Sequence, residues 1–355
     1  MLQIRRVSMP NQKPYAPSWT NHFLDWLNSL PIPIWLSIAL IYLLAVIAFH
    51  SAYWIEGALP FGALGSAELL VNGVWSIIGI AFLLFLNRSA AAAIDKFSVL
   101  VPQRKKELEM LRYQMTTIPS GVALAFTVLM ILVIGGAVYF DPTFLGSYGL
   151  SNPISMAIML SVGTFSYIFA PLMIYQGIRQ LVLVTRAYQL VEEINLFRLQ
   201  PLYAFSGLTM VSSLFWILIL NLDLVSNYAT PAQSTADFAF TVLFGLPNLL
   251  LAFATFIVPL WGIHRRIQNK KEKAIEENGM QIEKTHRTLY ALLKKASYKK
   301  TADIEKSLAS LYRMREQIEK VPTWPWNAGT LRGFLSAVFL PLGIWLAQQI
   351  ISRFL

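Results

Sequence analysis

Seven long apolar blocks, and the way positive charge is distributed between them, constrain this chain more than any other feature. The blocks cover residues 33–53, 68–86, 119–140, 154–177, 204–222, 238–262 and 331–351. Each supplies the roughly 20 apolar residues that an α-helix needs to cross a hydrocarbon core about 30 Å thick. Formal charge inside them is confined to Glu68 and Arg332, both at block edges where a side chain reaches the interface.

Lysine and arginine fall only on alternate connections. The tail before the first block carries Arg5, Arg6 and Lys13, the 87–118 connection six cations, the 178–203 connection three and the 263–330 connection fifteen. With Arg332, these make 28 of the 29 positive residues, and connections 54–67, 141–153 and 223–237 hold none. Cations are retained on the cytoplasmic side. The pattern therefore predicts an all-α, polytopic integral membrane protein with seven transmembrane helices, N-terminus in and C-terminus out. Composition agrees: 14% of residues are charged, against about 25% in soluble domains.

The expected organisation has four parts. Residues 1–32 form a cytoplasmic tail, 33–264 six spans with cytoplasmic helix extensions, 265–328 a basic helical hairpin, and 329–355 the seventh span. In the tail, Trp19, Phe23, Trp26, Leu27 and Leu30 share one helical face behind Ser18, an N-cap residue, which suits a helix lying in the membrane interface. Residues 7–30 are polar and punctuated by proline, with no signal h-region, so a retained N-terminus is expected. Leu181, Val184, Tyr188, Val191 and Ile194 continue the apolar spacing of block four, which predicts one helix reaching Pro201. In the hairpin, Ile275, Ile282 and Leu289 recur every seven residues. A second stripe of Ile304, Leu308, Leu311, Ile318 and Val321 follows, with Thr301 as its expected N-cap and a break expected at Glu277-Asn278-Gly279. Gly73, Gly79, Gly135 and Gly136 are expected points of close helix approach.

Chemistry is sparse. With no cysteine, disulfides, thiolate catalysis and Cys-based metal sites are excluded. His22, His50, His264 and His286 are scattered without ligand spacing, and there is no P-loop or nucleophile elbow. An enzyme is not expected, nor a cofactor or metal. The basic connections lack interleaved aromatics of the kind that stack on bases, so the expected partners are the bilayer and anionic headgroups rather than nucleic acid. Polar residues in or beside the blocks are the candidates for a pore or ligand path: Asn248 behind Pro247, Gln348 and Gln349, and Asn221 with Asp223. Each also has an ordinary reading as a packing hydrogen bond or a solvated end. Trp261, Trp324 and Trp326 are expected interface anchors.

The layout of seven spans, a prolonged fourth helix, a long internal helical segment before the seventh span and a last span that ends the chain resembles the insect chemoreceptor-like seven-transmembrane superfamily. That resemblance implies a homo-oligomer packed through its cytoplasmic helices, with the last span lining a cation pore. The insect last span typically carries Thr-Tyr and Gln-Phe pairs; Gln348-Gln349 and Arg353-Phe354 do not reproduce that spacing. An ion channel or channel-like receptor of the plasma (inner) membrane is therefore expected. A small-solute transporter and a scaffold or sensor that docks a partner through the hairpin are the alternatives.

Overall fold

The computed structural model of the protein describes residues 13–65, 67–140, 149–228, 235–294 and 298–354. The side chains of residues 67, 68, 220–245, 298–300, 341, 342 and 344–354 fall outside the description. Among the described residues there is no strand, and ten α-helices account for most of the chain: α1 (Trp19–Ser29), α2 (Ile34–Glu56), α3 (Ala67–Phe97), α4 (Lys105–Thr116), α5 (Ser120–Phe140), α6 (Pro153–Gln189), α7 (Ser206–Tyr228), α8 (Thr235–Lys294), α9 (Tyr298–Glu319) and α10 (Ala328–Phe354). Six of them, α2, α3, α5, α6, α7 and α8, contain stretches long and apolar enough to cross a membrane, and α10 has a shorter apolar stretch at Ala328–Leu340. The chain is thus almost entirely helical, and its length and composition are compatible with a membrane protein.

Local chemistry sets the helix ends. Ser18 caps α1, its hydroxyl accepting from the Asn21 N–H at 3.3 Å, and Pro31 follows the end. Gly57 ends α2 at φ 79°, a left-handed conformation that glycine adopts without steric cost, and its N–H reaches the Trp54 carbonyl. Asn152 caps α6, with Pro153 at the first helical position. The Glu56 carboxylate at the end of α2 accepts from the Ser151 and Asn152 N–H groups at 2.8 and 2.9 Å, clamping the two helix ends together.

The helices pack as neighbours in the order α2–α3–α6, with α5 on the outside of α6, α7 against α3, α8 against α7 and α6, and α10 against α7. One core runs through α3, α6 and α7 and down to Phe97, Tyr188 and Phe205, whose rings lie 5.1–5.9 Å apart. The face of α5 is largely open, with Leu124, Leu132 and Val133 exposed, as suits a lipid-facing helix. Gly79 fixes the α3–α6 crossing, since a Cβ there would sit 2.5 Å from the Phe169 Cβ. Gly73 similarly admits Tyr42 and Val46 of α2, whereas Gly135 and Gly136 meet no neighbouring helix among the described residues.

Four expectations are corrected. The α6 helix stops at Gln189 rather than reaching Pro201. Arg266 of α8 donates to the carbonyls of Tyr188 and Val191 at 2.7 and 2.5 Å, and the chain then folds back through a 3₁₀ turn at Gln200–Phe205. Val191, Ile194, Leu196 and Leu199 are each buried by this irregular segment, so their helix-like spacing reflects burial alone. The α8 helix runs unbroken for 60 residues through Glu277-Asn278-Gly279; a single mid-helix glycine costs only about 1 kcal/mol. Thr301 lies inside α9, which begins one turn earlier at Tyr298. Finally, α1 is more than an interfacial helix. It packs against α5 and α6, with Trp19 Nε1 donating to Thr127 at 3.0 Å and the rings of Trp19 and Phe23 meeting Phe169 at 5.6 and 5.9 Å.

The α9 helix packs back along the end of α8 as a helical hairpin. Ile282, Leu308, Ile318 and Val321 are buried where α8 and α9 pack, and Lys271 Nζ donates to the Glu319 and Val321 carbonyls at 2.6 and 2.9 Å. A cation at a helix C-terminus satisfies orphan carbonyls and the dipole together. One helix, α8, does this twice, for α6 through Arg266 and for α9 through Lys271.

Candidate functional site

Three places in the bundle carry chemistry beyond packing. The first is a cavity of about 160 Å³ between α2, α3, α5 and α6. Phe49, Trp75, Ile134 and Met159 give it apolar walls, and Asn72, Thr164 and Tyr167 give it polar ones. An apolar cavity of about 150 Å³ accepts benzene, so this one has single-ring size. Its floor is the α3–α6 contact, where the Ser76 and Ser166 hydroxyls bond at 2.7 Å one turn before Gly79. Among the described residues the Asn72 amide and the Thr164 hydroxyl make no hydrogen bond, and so are available to a ligand.

The second place is the carbonyl end of α4. Such an end leaves backbone acceptors without helical donors, and here side chains of α1 and α6 supply them. Gln176 and Gln180 each donate Nε2 to the Met115 carbonyl at 2.6 Å and to Asn87 Oδ1 at 3.3 Å. Asn21 donates to Thr116 O at 3.0 Å, and Arg179 and Tyr15 donate to Thr117 O at 2.7 and 3.1 Å. Arg179 also bonds the Tyr15 hydroxyl and lies over its ring. A short antiparallel bridge, Ser18 N–H to Ile118 O and Ser120 N–H to Ala16 O, straps the segment before α1 to the α4–α5 turn. Partial burial raises the Tyr15 phenol above the ordinary tyrosine value, a rise that Arg179 opposes, and burial raises Tyr113 too. Both glutamine Oε1 atoms are buried without a protein donor.

The third place is an aromatic ladder. His264 of α8 stacks on Trp324 with ring centroids 3.9 Å apart, and Trp324 on Trp326 at 4.4 Å. Phe256 of α8 follows at 5.1 Å from Trp326, and Phe334 of α10 at 4.3 Å from Phe256; no interplanar angle along this run exceeds 17°. Trp261 meets Trp324 edge-on at 5.6 Å. Buried Pro325 separates Trp324 from Trp326 in the short linker between α9 and α10. The three tryptophans expected as separate interface anchors therefore form one structure that joins hairpin, linker and last helix.

No family model, curated protein or solved structure matches the chain. The site is therefore judged on geometry.

Of the path residues expected from sequence, Asn248 alone has a described side chain. Asn248 is half-buried on α8 beside Pro247 and does not line the cavity. The side chains of Asn221, Asp223, Gln348 and Gln349, like that of Glu68, lie outside the described residues. Sequence reasoning passed over Asn72, Thr164 and the α4 terminus. The signal for the last was present: Gln176, Arg179 and Gln180 sit at i, i+3 and i+4 at the end of an apolar run, and so share a face.

Proposed function

We propose that the protein is a homo-oligomeric ion channel or channel-like receptor of the plasma (inner) membrane. In this reading it crosses the bilayer seven times and keeps the α8–α9 hairpin in the cytoplasm. The observation that carries the reading is the attachment of α10. Phe334 and Val338 are buried against Ile217 of α7 and Ala252 and Phe256 of α8. Arg332, Ser336 and Gly343, with Phe339 and Leu340, are exposed on the rest of its surface. In lipid, a helix flank bearing a hydroxyl and a glycine favours contact with another helix or with water over contact with acyl chains. Symmetric copies around α10 would give that flank both, with a path along the axis. The cavity at Asn72 and Thr164 suits the ligand of such a receptor, a mostly apolar molecule of single-ring size with one hydrogen-bonding group.

Sizing of the purified protein in detergent, followed by ion flux in proteoliposomes, tests this. A symmetric oligomer whose flux changes in Ser336→Leu is expected. A monomer without flux contradicts it. That outcome would favour the scaffold reading, for which Met280, Tyr290 and Tyr312 offer exposed apolar surface on the hairpin.

A further inference from the structure

We infer that Arg88 binds the phosphate of an anionic phospholipid at the elbow between α1 and α2, an inference that rests on the chain residing in a bilayer. Arg88 lies 21 residues into α3, roughly 30 Å along its axis, where an apolar span gives way to the headgroup region. Its guanidinium is exposed and donates to Asn28 Oδ1 at 2.8 Å, while Asn28 is itself fixed by donating to Leu24 O.

Charge accounting singles this arginine out. Among the described arginines that make hydrogen bonds, Arg104, Arg112, Arg287 and Arg315 meet carboxylates. Arg179 and Arg266 spend their donors on backbone carbonyls, with the Tyr15 hydroxyl as a further partner of Arg179. Arg88 meets only a neutral amide oxygen. It is held in place, yet among the described residues no carboxylate pairs with it and its remaining N–H groups meet no acceptor. Asp25, one turn before Asn28, forms no ion pair with it. A planar guanidinium with free donors matches a phosphate better than a single point charge does.

The apolar surroundings favour a lipid over free phosphate. Phe85, one turn earlier on α3, is 59% exposed, and Trp26 on α1 is 55% exposed. Ser76 and Gly79 meet Ser166 and Phe169, so α3 runs parallel to α6, while Glu56 and Phe49 meet Ser151 and Met159, so α2 runs antiparallel to α6 and hence to α3. That register places Trp35, 67% exposed, on the bilayer side of Arg88. Indole rings beside a cation at headgroup depth give acyl chains and phosphate separate contacts on one lipid.

The test uses the full-length protein in detergent, with bound phosphatidylglycerol and phosphatidylcholine counted by native mass spectrometry and inorganic phosphate added as competitor. Wild type is expected to retain phosphatidylglycerol over phosphatidylcholine, and Arg88→Gln to lose about five- to tenfold in retention. Arg88→Lys should lose less, and Asn28→Ala should fall between wild type and Arg88→Gln. Retention by a well-folded Arg88→Gln equal to wild type overturns the site, and displacement by millimolar inorganic phosphate overturns the lipid as its occupant. If Arg88→Gln does not fold, Asn28→Ala decides, because unchanged retention there overturns the site. Failure of the bilayer reading has its own signature: wild type that partitions into the soluble fraction without detergent.

Discussion

The α3–α6 contact and the α8–α10 contact hold two parts of one bundle by opposite means. At the first, backbones touch at Gly79, serine hydroxyls bond across the seam, and two glutamines reach a helix terminus. At the second, Phe256, Phe334, Trp324 and Trp326 meet ring on ring. Lipid offers helices no hydrophobic drive to associate, so close approach and polar bonds must do the work in one place and large dispersive faces in the other. The first joint tolerates little added volume. The second tolerates little removed.

Mutations should separate the two. Phe256→Ala removes the ring sandwiched between Trp326 and Phe334, and should cost about 3–5 kcal/mol, read as a fall in thermal midpoint in detergent with loss of the tryptophan stacking signature. Gly79→Ala adds the Cβ that would meet Phe169 at 2.5 Å, and should cost about 1–3 kcal/mol in the same assay. If the order were reversed, the contrast between the joints would be wrong. Gln176→Leu and Gln180→Leu should each cost about 0.5–1.5 kcal/mol, and the double variant should exceed their sum, because either amide alone still serves the Met115 carbonyl. The smallest effect is at Tyr15. Its phenol is raised above the ordinary tyrosine value, so the folded state holds it neutral where the unfolded chain ionises. The contribution is full below the unfolded value and declines as pH rises through that value towards the folded one. Unfolding followed across that alkaline range should show a decline in wild type that is shallower in Tyr15→Phe, with the residual slope belonging to Tyr113 and the other tyrosines.

Legibility in the sequence follows the same division. Six of the seven block positions, and the packing of α9 on α8, were readable because burial in lipid or between helices imposes long apolar runs and helical spacing. The end of α6 was not, since Arg266 is 77 residues beyond Gln189 in sequence and its bonds depend on tertiary approach. Nor was the aromatic ladder. Trp261, Trp324 and Trp326 each look like interface anchors, and only the fold reveals that Phe256 and Phe334 complete a stack. The cavity was hidden for another reason: Asn72 and Thr164 belong to different spans, and no local pattern pairs them. The α4 helix went unread, although Leu108, Leu111 and Met115 carry helical spacing within the 87–118 connection.

The absence of native cysteine makes one topology measurement unusually clean. Single cysteines at Asn11, Ala58, Ser310 and Arg353 can be labelled in sealed vesicles with a membrane-impermeant maleimide. Labelling of Asn11→Cys and Ser310→Cys from one side, and of Ala58→Cys and Arg353→Cys from the other, is the predicted result. Asn11→Cys and Arg353→Cys reacting from the same side would contradict the seven-span account.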